Sequence, residues 1–325
     1  MGSRRVPNEP FLVSALVPAF NEATRIRTAI ESALAQTEPP AEILVIDDGS
    51  SDGTAALAAS LGARVIVQPN AGIARTRNRL LREAAYPWLA FLDADDVWYP
   101  EKLAAVRKAH EVRPEVDFII SDLRCVRAGG AVVSASVFAT TPHYRAAPKT
   151  RIAPALDFIE RSDLGRALAV GNFIGTSTVV ARRDRLVERG VFFDETLPAD
   201  AGTFVAEDVE WYLRVLRTTD ALAIARPLGE YRLRAGSLAS NYARVRYGDA
   251  KLGERVAAHA GAYVEGAAAA FGGARRGQLR HAARMYARRY EFKRAAEILR
   301  EAQRDGTRAG DAAAIAFLTI LGRFV

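Results

Sequence analysis

Phe11–Pro18 is a charge-free run rich in Leu and Val, the pattern of a strand covered on both faces. Residues 23–36 then repeat apolar positions at helical spacing (Ile26, Ala29, Ile30, Ala33, Leu34) and stop before Pro39-Pro40. Glu42–Ile46 reads as a second strand and Thr54–Leu61 as a helix closed by Gly62. Arg64–Val67 is a third strand, Ala71–Ala84 a third helix and Trp88–Leu92 a fourth strand. Strand and helix alternating at this pitch predict a parallel sheet with crossover helices, and such sheets place ligands at the carboxyl ends of their strands.

The second half is less regular. Asp117–Arg127 and Ala131–Phe138 have strand-like patterns, and a strand opened by glycine is expected over Gly171–Val180. Ala206–Arg214 opens on Glu207-Asp208 and continues with Trp211, Leu213, Val215 and Leu216, an apolar-periodic helix. Residues 274–304 show two amphipathic patterns, one marked by Leu279, Ala283, Tyr286 and Tyr290, the other by Ala295, Ala296 and Leu299. A turn is expected near Glu291-Phe292, and the final run Ala312–Val325 is apolar (Ile315, Phe317, Leu318, Ile320, Leu321, Phe324).

Composition narrows the classes. Half of the 325 residues are hydrophobic and 26 % are charged, which excludes a mostly disordered or collagen-like chain. A single cysteine, Cys125, excludes an intramolecular disulfide and a cysteine-based zinc site, and points to a reducing compartment. The four histidines (His110, His143, His259, His281) have no ligand spacing. No apolar stretch is long enough to span a bilayer. Pro7, Glu9 and Pro10 interrupt the faint signal-like pattern that follows Arg4-Arg5, so a cytoplasmic location is expected. Residues 1–225 carry 26 Lys and Arg against 29 Asp and Glu, whereas residues 226–325 carry 19 against 9. The net +7 therefore arises in the C-terminal third, which suits either an anionic surface such as lipid head groups or a solvated arginine-rich helical face.

The informative residues stand at the predicted strand ends. Pro18-Ala19-Phe20-Asn21-Glu22 follows the first strand, Asp47-Asp48-Gly49-Ser50-Ser51-Asp52-Gly53-Thr54 the second, and Asp93-Ala94-Asp95-Asp96 the fourth. Clustered carboxylates repel one another unless a cation or ligand offsets them. No G-x-G-x-x-G follows any strand and no Walker G-x-x-x-x-G-K is present. Carboxylates with an intervening metal are the other way to hold a diphosphate. Turn chemistry at Asp47, Ser50 and Asp52, an exposed helix face at Arg75 and Arg77, and favourable helix-terminus electrostatics at Asp208 are the plain structural readings of the same residues.

The runs VPAFNE, VIDDGSSDGT, NAGIARTRN and FLDADD, in this order across residues 11–100, resemble the nucleotide-binding half of family 2 glycosyltransferases with the GT-A fold. The resemblance implies an α/β fold, a Rossmann-like sandwich with a central, mostly parallel sheet, followed by an α-helical C-terminal tail. It implies an N-terminal tail (1–10), a transferase domain (11–240, divided into a nucleotide-sugar half at 11–100 and an acceptor half at 101–240) and a basic helical region (241–325). Pro18, Phe20 and Glu22 would line the nucleotide pocket, and Asp48, with Asp47 beside it, would accept a hydrogen bond from the base edge. Arg77 would lie near the sugar and diphosphate. Asp93 and Asp95 form a D-x-D pair whose side chains point the same way from an extended strand end. Asp93 would contact the sugar nucleotide and share, with Asp95 as the principal ligand, a Mg²⁺ or Mn²⁺ ion bridging the diphosphate. Asp96 would organise the loop before the next helix.

Glu207-Asp208 is similar to the family's E-D motif, which makes Asp208 the general base for the acceptor hydroxyl, with Glu207 beside it. Tyr231-Arg232-Leu233-Arg234 departs from the family's Y-R-x-H segment: arginine cannot ligate a metal, and Arg234 would contact the diphosphate instead. The Q-x-x-R-W signature of processive members is absent, so single-residue transfer is expected. The resemblance thus implies an inverting transferase using a nucleotide-diphosphate sugar, by default a UDP-sugar. The acceptor would be a glycan or a lipid-linked saccharide, with no nucleic-acid partner; the basic excess of residues 226–325 and the apolar run that follows it suggest, independently of the resemblance, a peripheral contact to anionic membrane. The alternatives are a sugar-phosphate nucleotidyltransferase and a non-catalytic scaffold with a degenerate transferase domain.

Overall fold

The structure is a computed structural model that describes residues 10–127, 129–197, 206–234, 242–306 and 310–322. The expected tail at residues 1–9 and Phe324 of the terminal apolar run lie outside the described residues. The first half alternates as the pattern predicts: β1 (Val13–Ala19), α1 (Ile26–Leu34), β2 (Glu42–Asp47), α2 (Thr54–Ser60), β3 (Arg64–Val67), α3 (Ile73–Glu83) and β4 (Trp88–Phe91). A short β5 (Val97–Trp98) and α4 (Lys102–Val112) lead to β6 (Phe118–Arg127) and β7 (Val132–Ser134). Two short helices, α5 (Val137–Thr140) and α6 (Pro142–Ala146), precede β8 (Thr150–Ala153), β9 (Leu156–Ile159) and α7 (Arg161–Val170). Then come β10 (Val180–Arg182), α8 (Arg183–Glu188), α9 (Glu207–Val215) and β11 (Ala221–Leu233). Four helices follow: α10 (Tyr242–Ala258), α11 (Ala267–Arg288), α12 (Phe292–Arg304) and α13 (Asp311–Leu321).

The sheet runs β3-β2-β1-β4-β10-β6-β11-β9-β8, with β5 on β11 and β7 on β6. β3, β2, β1 and β4 are mutually parallel; β10 lies antiparallel between β4 and β6, and β11 pairs parallel with β6. The carboxyl ends of β1, β2, β4, β6 and β11 therefore share one edge. Side chains alternate across the sheet as the pleat requires. Leu16, Leu44, Ile46 and Phe91 face α3, α7 and α9, and Ala15, Val17, Ile43 and Val45 face α1, α2 and α4. Leu252 and Val256 of α10 and Phe271 of α11 join the first of these cores, and Gln278 of α11 donates to the Ala169 carbonyl at 2.9 Å. The helical region is thus packed onto the sheet domain through apolar contact.

Two expectations are corrected. The strand expected over Ala131–Phe138 ends at Ser134, and the chain turns into α5. The buried Asp122 is the cause: it accepts bonds from the Phe138 N–H (2.9 Å) and the Ser136 hydroxyl, while Ser136 Oγ caps the Ala139 N–H at 2.9 Å. The strand expected over Gly171–Val180 begins only at Val180; Thr176–Thr178 form a 3-10 turn. There Asn172 Oδ1 accepts from the Ile174 N–H (2.9 Å) and Thr178 Oγ1 donates to the Gly175 carbonyl (2.7 Å), side-chain bonds that replace a ladder.

Lys102 is almost fully buried and donates to Ser121 Oγ (3.3 Å) and the Thr178 carbonyl (3.1 Å), anchoring that turn from below. Burial pulls its pKa down to about 7.

Candidate active site

The tip of β2 is a turn with a fixed backbone demand. Gly49 has φ +84°, and a Cβ there would stand 3.0 Å from the Asn70 N, so only glycine fits. Asp47 Oδ1 accepts from the N–H groups of Gly49 (3.1 Å) and Ser50 (2.7 Å), while its buried Oδ2 has no hydrogen-bond partner among the described residues. Asp52 accepts from the Thr54 N–H and the Ala23 N–H, both at 3.1 Å, tying this turn to the segment after β1. Asp48 Oδ1 accepts from Gln68 Nε2 (2.7 Å) and the Ala71 N–H (2.9 Å), and Oδ2 from the Gly72 N–H (2.9 Å). Three donors leave this carboxylate with about one of its roughly four acceptor sites open.

Pro18 lies inside β1, in register with Ile46 and one residue before the strand's end at Ala19. Phe20, just beyond it, presents a half-exposed ring (48 %) at the tip. Glu22 donates its N–H to Thr54 Oγ1 (2.8 Å), and its carboxylate accepts from Arg25 and from Arg234 (3.0 Å).

Asp93 and Asp95 follow β4. The Asp93 N–H donates to Ser177 Oγ (3.0 Å), and the same hydroxyl donates to Asp96 (2.6 Å). Burial, then Asp93 and Asp95, push the Asp96 carboxyl well above the usual range, and its backbone contact to the Arg232 N–H (3.3 Å) closes the loop. Asp95 is raised by burial and by Asp93, with Arg234 opposing. Its Oδ2 stands 2.8 Å from Arg234 Nε.

The two halves meet at Arg77. Its buried guanidinium donates to Glu207 Oε1 (2.9 Å), Asp93 Oδ1 (3.3 Å) and Thr176 Oγ1 (3.3 Å), and lies over the Phe193 ring at 5.6 Å. Phe193 in turn stacks on Trp211 of α9 (4.6 Å, 8°). Arg75, by contrast, is on the outer face and pairs with Glu195 (3.1 Å).

α9 buries Trp211 and Leu213, which fixes its N-terminal Glu207-Asp208 at the same edge. Asp208 Oδ2 accepts from Asn172 Nδ2 (3.0 Å) and Oδ1 from the Val209 N–H (2.8 Å). Burial pushes both Glu207 and Asp208 up; Asp208 raises Glu207 further, and Arg77 opposes both shifts.

The structure thus brings Glu22, Asp93, Asp95, Glu207, Asp208, Arg77 and Arg234 into one hydrogen-bonded and electrostatic network, and places Pro18, Phe20, Asp47 and Asp48 on the neighbouring strand tips. Sequence reasoning missed Asn172, Thr176 and Ser177 as individual residues, although all lie in the glycine-opened segment it singled out. Asn172 is 36 positions from the acid it orients, a separation with no local signature.

Among the described residues no group of three or more His, Cys, Asp or Glu side chains forms a metal site. Asp93 and Asp95 supply hard oxygen donors of the kind Mg²⁺ and Mn²⁺ use, and such ions commonly rest on one or two carboxylates with substrate phosphates completing the shell. The donor set fits that arrangement and requires Asp95 to release Arg234.

Residues 14–127 match the profile of Glycosyl transferase family 2. The succinoglycan biosynthesis protein ExoU of Rhizobium meliloti (strain 1021) is 31 % identical over 216 residues, 64 % of this chain and 57 % of that protein. The chain thus spans just over half of that relative's length. In overall shape it is similar to S. aureus TarS, solved in complex with UDP-GlcNAc (TM-score 0.55, 17 % identity, 96 % of this chain and 91 % of that one). It is also similar to the mannosyltransferase PcManGT from Pyrobaculum calidifontis, solved in complex with GDP-Man and Mn²⁺ (TM-score 0.53, 18 % identity, 96 % and 80 %). Residues 14–127 are thus similar to Glycosyl transferase family 2, and the chain as a whole has the fold of these solved proteins.

Proposed function

We propose that the protein is an inverting glycosyltransferase that moves one sugar from a nucleotide-diphosphate sugar to an acceptor hydroxyl. The observation that carries this reading is Asp208: a half-buried carboxylate with raised proton affinity, oriented by Asn172, on the sheet edge that also presents Glu22, Asp48, Asp93 and Asp95. Arg77 engages Glu207 and leaves the proton-accepting role to Asp208. The acceptor oxygen attacks the anomeric carbon from the face opposite the diphosphate, the sugar–phosphate bond breaks, and the acceptor proton passes to the Asp208 carboxylate. Asp93 and Asp95 would hold Mg²⁺ or Mn²⁺, which when bound supplies positive charge to the leaving diphosphate. Arg234 contacts the same diphosphate.

The base is received at the tips of β1 and β2, where Phe20 offers a ring face and Asp48 its remaining acceptor site. A UDP-sugar is the default donor, and ExoU's part in succinoglycan biosynthesis supports a glycan or lipid-linked acceptor. A thermal-shift panel of nucleoside diphosphates with Mn²⁺ tests the site, because a ligand of the folded state raises Tm by mass action. UDP is expected to stabilise the protein, and Asp48→Asn to weaken UDP binding about tenfold or more, the cost of losing a charge-assisted hydrogen bond. No shift with any nucleoside diphosphate would sink the donor site; a wild-type response in D48N would remove Asp48 from base recognition.

The protein works at the cytoplasmic face of a membrane, touching anionic lipid through its C-terminal region. Phe317 and Ile320 of α13 are exposed on a helix whose only charge is Asp311, within a region of 19 basic against 9 acidic residues. No helix among the described residues is long and apolar enough to cross a membrane. Co-sedimentation with liposomes should require anionic lipid, weaken with salt and fall in Phe317→Ser/Ile320→Ser. Equal binding to neutral vesicles, or none at low salt, contradicts the contact.

A further inference from the structure

β11 runs parallel to β6 and delivers Arg234 to the edge where β1 and β4 end. Its guanidinium spans two carboxylates from different strands, Nε at 2.8 Å from Asp95 Oδ2 and Nη2 at 3.0 Å from Glu22 Oε1. Both acids are well covered, with side chains 18 % and 11 % exposed, whereas the Arg234 side chain is 37 % exposed. A fixed cation therefore sits on one of the two carboxylates suited to a divalent ion. The crevice is densely acidic, since Asp93 and Asp96 lie beside Asp95. A metal ion that binds Asp95 ahead of any donor must displace the guanidinium and then meet its positive charge at close range.

We propose that Arg234 makes metal loading conditional on the donor: it occupies Asp95 until a nucleoside diphosphate arrives, then transfers its fork to the phosphate oxygens and frees Asp95 for the cation. Guanidinium binds phosphate at least as readily as carboxylate, in the same bidentate geometry, so the exchange keeps Arg234 paired throughout. Glu22, relieved of one of its two arginines, keeps Arg25. Metal and nucleotide then bind cooperatively, and by linkage each tightens the other by the same factor. The inference rests on the donor-site reading given above.

The test is Mn²⁺ binding, followed by electron paramagnetic resonance, to the full chain with and without UDP, alongside UDP calorimetry with and without Mn²⁺. Wild type should bind Mn²⁺ weakly alone and far more tightly with UDP. Arg234→Gln should tighten Mn²⁺ binding to the nucleotide-free protein about tenfold, weaken UDP binding in EDTA, and reduce the reciprocal coupling factor. Arg234→Lys, which retains a point charge, should keep nucleotide-free Mn²⁺ binding weak. Each variant is checked for an unchanged melting temperature, as expected at a partly exposed position. Wild-type protein binding Mn²⁺ equally with and without UDP, or R234Q leaving nucleotide-free Mn²⁺ affinity unchanged, overturns the proposal while leaving the donor site intact. Absence of UDP binding under every condition overturns the donor-site reading and this inference with it.

Discussion

Asp208→Asn is expected to lower kcat by about 10²- to 10⁴-fold, the usual worth of a positioned general base. The amide has the same size, and its oxygen can still accept from Asn172 Nδ2 or from the Val209 N–H, so the local packing should survive. Calorimetric UDP affinity should stay within about twofold, which separates loss of chemistry from loss of donor binding. The pH profile gives a second check. A base must be unprotonated to act, and burial raises the Asp208 pKa, so wild-type kcat should fall on the acid side at a higher pH than an ordinary carboxylate would dictate. That limb should vanish in D208N. Glu207→Gln should cost less turnover, because the Glu207 carboxylate is engaged by the Arg77 guanidinium at 2.9 Å. Full activity in D208N would remove the assignment of the base.

Arg77→Met should be the most destabilising single change at the site. The guanidinium compensates Asp93 and Glu207 from a position only 5 % exposed, and its removal leaves two covered carboxylates without a counter-charge. Losing one partner of a buried ion pair costs about 3–5 kcal/mol, which a urea midpoint would register directly. Arg77→Lys keeps the charge but cannot reach Glu207, Asp93 and Thr176 together, so it should recover part of the stability and little of the turnover. Wild-type stability in R77M would mean that solvent, and not Arg77, compensates these acids.

The sequence exposes local order and hides long-range pairing. β3 lies where its pattern puts it, and β1, β2, β4 and the three intervening helices shift by only a few residues at their ends, because each carries its own periodicity and its own Gly or Pro stop. The carboxylates at the strand tips are visible for the same reason: a strand ends where charge begins. What they bond to is not visible. Asp48 is placed as a base contact by resemblance, yet most of its acceptor capacity holds the 68–72 segment. Arg77 is placed beside the donor, yet its three partners lie on β4's exit, the 3-10 turn and α9, up to 130 positions away. The strand expected over Gly171–Val180 fails because Asn172 and Thr178 satisfy backbone groups with side chains, a competition that propensity does not register. α10 has no strong apolar stripe, so its apolar positions gave no helical signal, although several of them are buried against the sheet domain and α11.

The antiparallel insertion of β10 between β4 and β6 also sets a timetable for the nascent chain. The unit β3-β2-β1-β4 is complete once Phe91 has emerged, with only short helical crossovers to close. Its β4 edge then stays open through the synthesis of everything up to Val180, and β6, although made early, has no edge of that unit to join until β10 arrives. An unpaired, fully apolar edge such as Trp88–Phe91 is a template for wrong partners during that interval. On a ribosome adding about 5–20 residues per second the exposure lasts seconds.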